Sequence, residues 1–237
     1  GPERLGELKG ARHMTKICGI VAVAGLAAVA NAQSARLDLQ VSSDGGSTWS
    51  DAVNVLPGTN VLVRVRATVE NAYGFAGAVG RITGTGLAAG DSASIGGTDA
   101  RVAPFNFGAA SQAVFATAGA FRIDASSDAA NSNAAGIAIL QRDPVSAAPG
   151  TYADGTQART VYAFSVSVGA DGSIRSIALN MDDFKAGVVS VHLASNSTRG
   201  TNINSFTVDG AAINVIPTPA TLALMGLGGL VAGRRRR

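Results

Sequence analysis

The most regular stretch of the sequence is Val61-Leu62-Val63-Arg64-Val65-Arg66-Ala67-Thr68-Val69. Every odd-numbered position in it is apolar, whereas Arg64, Arg66 and Thr68 occupy even-numbered positions. Successive side chains of a β-strand point to opposite faces, so this alternation predicts a strand with one buried and one wet face. The stretch therefore predicts a sheet whose valine face lies in a core.

Shorter stretches with strand character lie on both sides of this one. They are separated by turn-forming residues, and none shows a sustained 3.6-residue period, which argues against all-helical and parallel α/β folds. Further strands are predicted at residues 36–42, 77–83, 113–123, 136–141, 159–168, 173–179, 188–193 and 205–215. Such a series of short strands predicts an all-β fold, a single antiparallel β-sandwich of jelly-roll or immunoglobulin-like type.

Two further segments carry local predictions. Gly169-Ala170-Asp171-Gly172 predicts a tight hairpin turn, because Asp-Gly tolerates the positive φ that such a turn needs. The strands on either side are expected to supply core residues, namely Phe164, Val166, Val168, Ile174 and Ile177. Residues 180–186 are expected to form a helical turn.

The turn Leu56-Pro57-Gly58 precedes the valine-rich strand, and Tyr73-Gly74-Phe75-Ala76-Gly77 follows it. Together with the strand they resemble cohesin-like and carbohydrate-module sandwiches. That resemblance implies the same sandwich class, without an order of strands.

A turn-forming cluster precedes the only tryptophan of the chain. Ser42, Asp44, Gly46, Thr48 and Trp49 fit the Asp-box pattern, Ser-x-Asp-x-Gly-x-Thr-Trp. The pattern resembles the hairpin that recurs in sialidase-like propellers, but it occurs once here and a propeller would need a longer chain. We interpret it as a structural turn in which the Ser and Asp side chains accept backbone hydrogen bonds. Trp49 is expected to fill the sandwich core.

Catalytic and metal-binding patterns are weak in this sequence. His192 is the only histidine after residue 13 and is expected to be a structural strand residue, because no nucleophile-elbow serine accompanies it. Asp182 and Asp183 form the closest acidic pair, so calcium is the best metal candidate, although solvated turn carboxylates are favoured. No catalytic residue and no cofactor are predicted.

The net charge of +3 and the pI near 9.4 come from the two ends of the chain. Between Gln33 and Pro219 there are 11 Lys and Arg and 14 Asp and Glu, a net charge of −3. The basic residues of this interval are dispersed, whereas nucleic-acid binding needs a basic face. We therefore exclude a nucleic-acid partner.

Residues 14–32 have the pattern of a secretory signal peptide. Lys16 provides the charged region, residues 17–29 the apolar region, and Ala30-Asn31-Ala32 the cleavage site before Gln33. The expected partners are the Sec translocon and signal peptidase. Residues 1–13 are interpreted as an upstream extension. The only cysteine, Cys18, lies in the leader, so the body is expected to fold by burial without disulfides.

Residues 216–237 have a different composition from the body. Pro217-Thr218-Pro219 is followed by an apolar run over residues 220–233 and then by Arg234, Arg235, Arg236 and Arg237. The run is shorter than the roughly 20 residues of a typical membrane-spanning helix, but snorkelling arginines let it span marginally. A buried C-terminal helix is the alternative, which four consecutive charges disfavour.

This tail resembles the sorting signal of PEP-CTERM proteins, which combines a Pro-Glu-Pro motif, a short hydrophobic helix and terminal arginines. Thr218 stands where that family has Glu. The resemblance implies an exosortase-like membrane protease as a partner, transient anchoring in the inner membrane, and delivery to the cell surface or extracellular matrix. The expected organisation is an extension (1–13), a signal peptide (14–32), a β-sandwich (33–215) and a sorting tail (216–237).

The function favoured by the sequence is that of a non-enzymatic exported surface or matrix protein. A carbohydrate-binding module is the first alternative, motivated by Trp49, Tyr73, Phe75 and Tyr152, with extracellular polysaccharide as the ligand. A secreted hydrolase is disfavoured because no paired carboxylates are recognisable. A self-assembling filament or surface-layer component, built through exposed edge strands, is a further alternative.

Overall fold

The computed structural model describes residues 32–108, 111–126, 136–141, 158–182, 189–194 and 199–216. These residues form strands and connecting turns, with no helix among them. The strands are β1 (Ser34–Ser42), β2 (Ala52–Val55), β3 (Asn60–Glu70), β4 (Gly74–Thr85), β5 (Ser92–Ser94), β6 (Gln112–Thr117), β7 (Ala120–Ala125), β8 (Ile137–Leu140), β9 (Arg159–Ser167), β10 (Arg175–Asp182), β11 (Val189–His192), β12 (Thr201–Ile203), β13 (Phe206–Asp209) and β14 (Ala211–Val215).

The strands form two sheets. The first has five strands in the order β13-β1-β3-β9-β5, and only its β1–β13 pair is parallel. The second has nine strands and contains the path β12-β11-β4-β10-β14-β2, with β14 and β2 parallel. The long strand β4 also pairs with β7 and β8, and β6 pairs with β7. The all-β sandwich expected from the sequence is confirmed, but it is not purely antiparallel, because β13 and β2 pair in parallel with β1 and β14.

A single apolar core lies between the sheets. The face of β3 predicted to be apolar is buried at Val61, Val63, Val65, Ala67 and Val69, and its alternate positions are partly exposed. The second sheet contributes buried side chains from three of its strands, namely Ile82, Ile177, Leu179, Met181, Ile213 and Val215. The alternation in the valine-rich stretch therefore predicts both its strand and its buried face correctly.

The predicted strand over residues 113–123 is wrong as a single element. The chain forms a hairpin there, β6 followed by β7, with Ala118 and Gly119 at the turn. Gly119 has a φ of +74°, which ends the extended run. Because both strands are rich in alanine and phenylalanine, the composition does not mark the turn between them.

The predicted hairpin at residues 169–172 is also wrong. The chain only bends at Ala170, and Gly172 is not among the glycines with a positive φ. β9 pairs within the first sheet and β10 within the second, so the chain crosses between layers there. Ile177 is buried as expected, whereas Ile174 is exposed. Residues 180–182 continue β10 instead of forming a helical turn, and residues 183–186 lie outside the described part of the chain.

The predicted strand over residues 205–215 divides at Gly210. β13 belongs to the first sheet and β14 to the second. A Cβ atom at position 210 would lie 2.6 Å from the Leu179 carbonyl oxygen, so the crossing needs a glycine. The chain thus changes layer immediately before its last described strand.

Candidate functional site

The Ser42–Trp49 turn is held by its own side chains. Ser42 Oγ accepts a hydrogen bond from the Gly46 N–H at 2.8 Å and donates to Asp44 Oδ1 at 2.7 Å. The Asp44 carboxylate also accepts from the N–H and the hydroxyl of Thr48, at 2.9 and 2.7 Å. These hydrogen bonds, that of the Thr48 N–H foremost, lower the pKa of Asp44 well below its ordinary range.

We expect Asp44→Ala to lower the Tm by about 2–4 °C at neutral pH, because the turn loses its central acceptor. The pKa of Asp44 is depressed in the folded state, so its contribution is present above the ordinary value of 3.8 and is lost as the pH falls through the lower folded value. Thermal unfolding followed by circular dichroism measures the effect. Asp51→Ala, at an exposed carboxylate just after the turn, is the control, and equal Tm values for both variants would contradict the assigned role.

Trp49 does not fill the core, contrary to expectation. It is half-buried on the outer face of the first sheet, where the Arg64 guanidinium carbon lies 4.1 Å from its ring centroid. Arg64 donates two hydrogen bonds to Gln40 Oε1, and Gln40 donates to Asp38. The partial burial of Arg64 lowers its pKa, and burial raises that of Asp38. The outer-face strip formed by these four residues is therefore a preorganised polar surface.

The aromatic residues considered for sugar binding do not form one platform. Phe75 is buried, with its ring centroid 5.8 Å from that of Phe105. Trp49 is covered on one side by Arg64, and Tyr152 lies outside the described residues. Of the four, Tyr73 alone is exposed in the described part of the chain. Sugar platforms need several exposed rings in a row, so this set offers little support for a carbohydrate site.

The residues considered for catalysis and metal binding occupy structural positions. His192 is fully buried at the end of β11, and its carbonyl accepts a hydrogen bond from the Tyr73 N–H at 2.7 Å. Asp182 accepts from the Thr83 hydroxyl at 3.0 Å, and Asp183 lies outside the described residues. Within the described ranges, no three His, Cys, Asp or Glu side chains are grouped so as to hold a metal ion.

The sorting and cleavage motifs are almost entirely outside the described residues. This applies to Ala30, to Pro217, Thr218 and Pro219, and to Arg234, Arg235, Arg236 and Arg237. Ala32 and Gln33 are the first described residues and directly precede β1. No described segment forms a helix with the length and hydropathy needed to cross a membrane.

Asp91 and Arg175 form a buried ion pair that the sequence does not indicate. Arg175 donates to both carboxylate oxygens of Asp91, at 2.6 and 3.0 Å. The Asp91 carboxylate also accepts from the N–H groups of Ala88 and Gly169, at 2.8 and 2.7 Å. Burial raises the pKa of Asp91, but these hydrogen bonds outweigh it, so the pKa lies below its ordinary value. The pair joins the loop after β4 to the crossing between the sheets.

A second buried cation, Arg101, organises the long loop between β5 and β6. Its guanidinium binds the Asp99 carboxylate and donates to the carbonyl oxygens of Phe107, Gly108 and Ala138 at 2.8–3.0 Å. These hydrogen bonds lower the pKa of Asp99. Residues separated by up to 37 positions in the sequence are thus held together by one side chain.

The Arg101 network continues into the core through Gln112. Its amide donates to Asp99 at 2.9 Å, and its carbonyl oxygen accepts from the Tyr162 hydroxyl at 2.7 Å. Tyr162 is fully buried, and burial raises the pKa of its hydroxyl above its ordinary value. A neutral, hydrogen-bonded phenol is a structural group, so this network fixes the loop instead of supplying an acid or base.

A half-open groove of about 560 Å³ lies between residues 87–93 and 114–121. Its walls are mainly alanine and glycine, and Phe121 contributes the largest side chain. Asp91 is the only titratable residue among its described lining residues, and that carboxylate is already bound to Arg175. The groove is therefore a mainly apolar surface, and its described lining has no ionisable group that is available for binding or catalysis.

The sequence matches no protein-family model and no curated protein sequence. Several solved structures of cohesins are similar to this chain over most of its length. The seventh ScaB type I cohesin of Pseudobacteroides cellulosolvens has 12% identity and a TM-score of 0.40, covering 79% of this chain and 94% of its own. The sixth cohesin of Acetivibrio cellulolyticus scaffoldin B, in complex with the Cel5 dockerin, has 15% identity and a TM-score of 0.39, covering 77% and 99%. A type I cohesin–dockerin complex of Clostridium thermocellum has 9% identity and a TM-score of 0.41, covering 76% and 99%.

Proposed function

We propose that this chain is an exported, non-enzymatic surface or extracellular-matrix protein whose sandwich body acts by binding. Its signal peptide delivers it to the Sec translocon, and residues 216–237 present it to an exosortase-type membrane protease. The order of the segments supports this proposal, because a leader and a sorting-type tail flank one sandwich.

The position of β14 is the observation that carries the proposal. β14 is the last described strand, and it lies between β10 and β2 instead of at a sheet edge. The ladder continues past it, because the Ile216 N–H donates to the Val55 carbonyl at 2.9 Å. Pro217 follows directly. A tail that continues from β14 is therefore joined to a strand that is paired on both sides, so a pull on the tail is shared with the second sheet.

The charged groups of the body support binding over catalysis. A general acid needs a pKa close to the operating pH. Hydrogen bonds from arginines keep the pKa values of Asp91 and Asp99 below their ordinary value. Asp124, whose side chain is fully buried, accepts from Arg81 Nε at 2.8 Å. The arginine-bound carboxylates thus stabilise loops and strands, and the exposed faces of the sandwich remain for contacts with partners.

The sorting proposal is tested by replacing Arg234, Arg235, Arg236 and Arg237 with alanine in the native host. We expect most of the protein to remain as a membrane-associated precursor, because the positive end that holds the tail on the cytoplasmic side is lost. Immunoblotting of membrane and extracellular fractions measures the ratio of precursor to processed form.

Two further variants frame this test. Arg199→Ala removes an arginine from the body and should be processed like the wild type. Thr218→Glu restores the motif of the PEP-CTERM family and should be processed at least as completely. Wild-type processing of the variant that lacks all four tail arginines would refute the sorting proposal.

A further inference from the structure

Three large aliphatic side chains form a continuous row at the end of the second sheet. One residue beyond the paired part of β2 and β14, Leu56 lies beside Ile216, whose N–H still donates to the Val55 carbonyl. One residue beyond the paired part of β10 and β14, Ile174 lies on the other side of Ile216. The exposed fractions are 42% for Leu56, 41% for Ile216 and 77% for Ile174. We call these three residues the apolar row.

The apolar row borders a polar row on the outer face of the same three strands, beyond which the small residues Ala52, Ala178 and Ala212 follow. The adjacent outward-facing row on the same strands is a ladder in which Ser176 donates to Asn214 at 2.9 Å and Asn214 donates to Asn54 at 3.2 Å. Large aliphatic side chains are not expected side by side on a sheet face that meets only water, where outward positions are polar or small. Exposed aliphatic side chains on three neighbouring strands therefore indicate a surface that is covered by something apolar.

The sequence that follows Ile216 indicates what covers the apolar row. Ile216 belongs to the apolar row, and the apolar run of the tail begins at Ala220. Four residues span at most about 14 Å, so a tail inserted in a bilayer would hold the row at the headgroup layer. Aliphatic side chains gain free energy when they leave water, and a bilayer accepts them without a matching shape.

A second protein molecule is a less suitable occupant. Stable protein–protein interfaces bury about 800 Å² on each partner. Three partly exposed side chains bordered by a polar ladder offer much less apolar surface than that. The row is also at the one point of the sandwich that the tail must bring close to a membrane.

We propose that the apolar row rests on the lipid surface while the tail anchors the protein. The proposal builds on the function proposed above, because it requires the tail to insert. It adds an orientation: the end of the sandwich that carries Leu56 and Ile174 faces the bilayer, and the end that carries Ser34 and Glu70 faces away.

The full chain is produced in a host that removes the leader, which also removes the only cysteine, Cys18. A single cysteine is introduced at Gly172, where a Cβ meets no atom within 4 Å, and is labelled with an environment-sensitive fluorophore. Ser205→Cys places the same label at the opposite end of the sandwich. The protein is reconstituted into vesicles of phosphatidylethanolamine and phosphatidylglycerol, and flotation reports tail insertion separately from the fluorescence.

We expect a blue shift of the label at position 172 on vesicle binding and none at position 205. Leu56→Ser combined with Ile174→Ser should abolish the shift and leave flotation unchanged, because the tail is intact. Leu193→Ser is the control. Leu193 is 49% exposed and lies near the start of β4, at the far end from the apolar row, so this variant should retain the blue shift at position 172.

Three other outcomes would contradict the proposal, and each identifies a different reason. Flotation without a shift at position 172 would refute the lipid contact and leave the tail proposal standing. Failure to float would refute tail insertion, and the lipid contact with it. A shift without vesicles that grows with protein concentration would assign the row to a second copy of the chain.

Discussion

Asp91→Ala is expected to lower the free energy of unfolding by about 3–5 kcal/mol, which corresponds to a fall in Tm of roughly 10 °C. The carboxylate is fully buried and holds Arg175, whose side chain is 9% exposed. Its removal leaves a buried guanidinium without its counter-charge and the N–H groups of Ala88 and Gly169 without their acceptor. Urea denaturation followed by circular dichroism measures the loss.

Asp171→Ala is the matched control for this variant. Asp171 lies in the same crossing between the sheets, but it is exposed and its carboxylate accepts from the Ser173 N–H. Its replacement should change the Tm far less than that of Asp91. Equal losses of unfolding free energy in the two variants would show that the Asp91–Arg175 pair contributes no more to stability than the exposed Asp171 does.

The pH dependence of the unfolding free energy is a second test of the contribution of Asp91. The pKa of Asp91 is lowered in the folded state, so its stabilising effect is complete above the ordinary value of 3.8 and is lost as the pH falls through the folded value. The wild type should therefore lose stability on acidification below about pH 4 more steeply than Asp91→Ala does. Parallel curves for the two proteins would contradict the assigned ion pair.

Arg101→Ala is expected to cost about 3 kcal/mol or more, because four groups lose their donor at once. These are the Asp99 carboxylate and the carbonyl oxygens of Phe107, Gly108 and Ala138. Chemical denaturation gives the overall loss, and hydrogen exchange should show faster exchange in residues 95–108 than in β3. Unchanged exchange there would contradict a role in ordering the loop.

The control for Arg101 is an arginine in an exposed ion pair. Arg36 binds Asp209 on the outer face of the first sheet, where both side chains are largely solvent-accessible. Surface pairs of this kind contribute about 0–1 kcal/mol, so Arg36→Ala should be nearly neutral. Arg101→Lys should resemble Arg101→Ala, because an ammonium group cannot reproduce the planar set of donors.

Most predictions that depend on neighbouring residues are correct, and several that depend on residues far apart along the chain are wrong. The strand over residues 61–69 and its buried face are correct, because side-chain alternation is a property of neighbouring residues. The hairpin predicted at residues 169–172 is wrong, because an Asp-Gly pair indicates a change of direction but does not specify the partners of the strands it joins. The division at Gly210 is not predicted for a related reason: the carbonyl oxygen that leaves no room for a Cβ there belongs to the distant Leu179.

The candidate site divides in the same way. The Ser42–Trp49 turn follows a local pattern, and its hydrogen bonds join residues at most four positions apart. Asp91 and Arg175 are 84 positions apart, and no spacing rule pairs them. The predicted core position of Trp49 is wrong, because its ring is partly covered by Arg64 on the sheet surface, and the sequence does not show which face of the sheet the turn packs on.

The sequence by itself determines that this protein is built from β-strands, which strand face is buried, and that its two ends carry segments with the patterns of export and sorting signals. Those properties depend on the order of residues along a few turns or strands. The tertiary structure alone decides which strands share a sheet and which charges are buried together. It also decides that Leu56, Ile174 and Ile216 lie at the same end of the second sheet. The physical reason is that these contacts join residues that are distant along the chain, and only the packing of the two sheets brings them together.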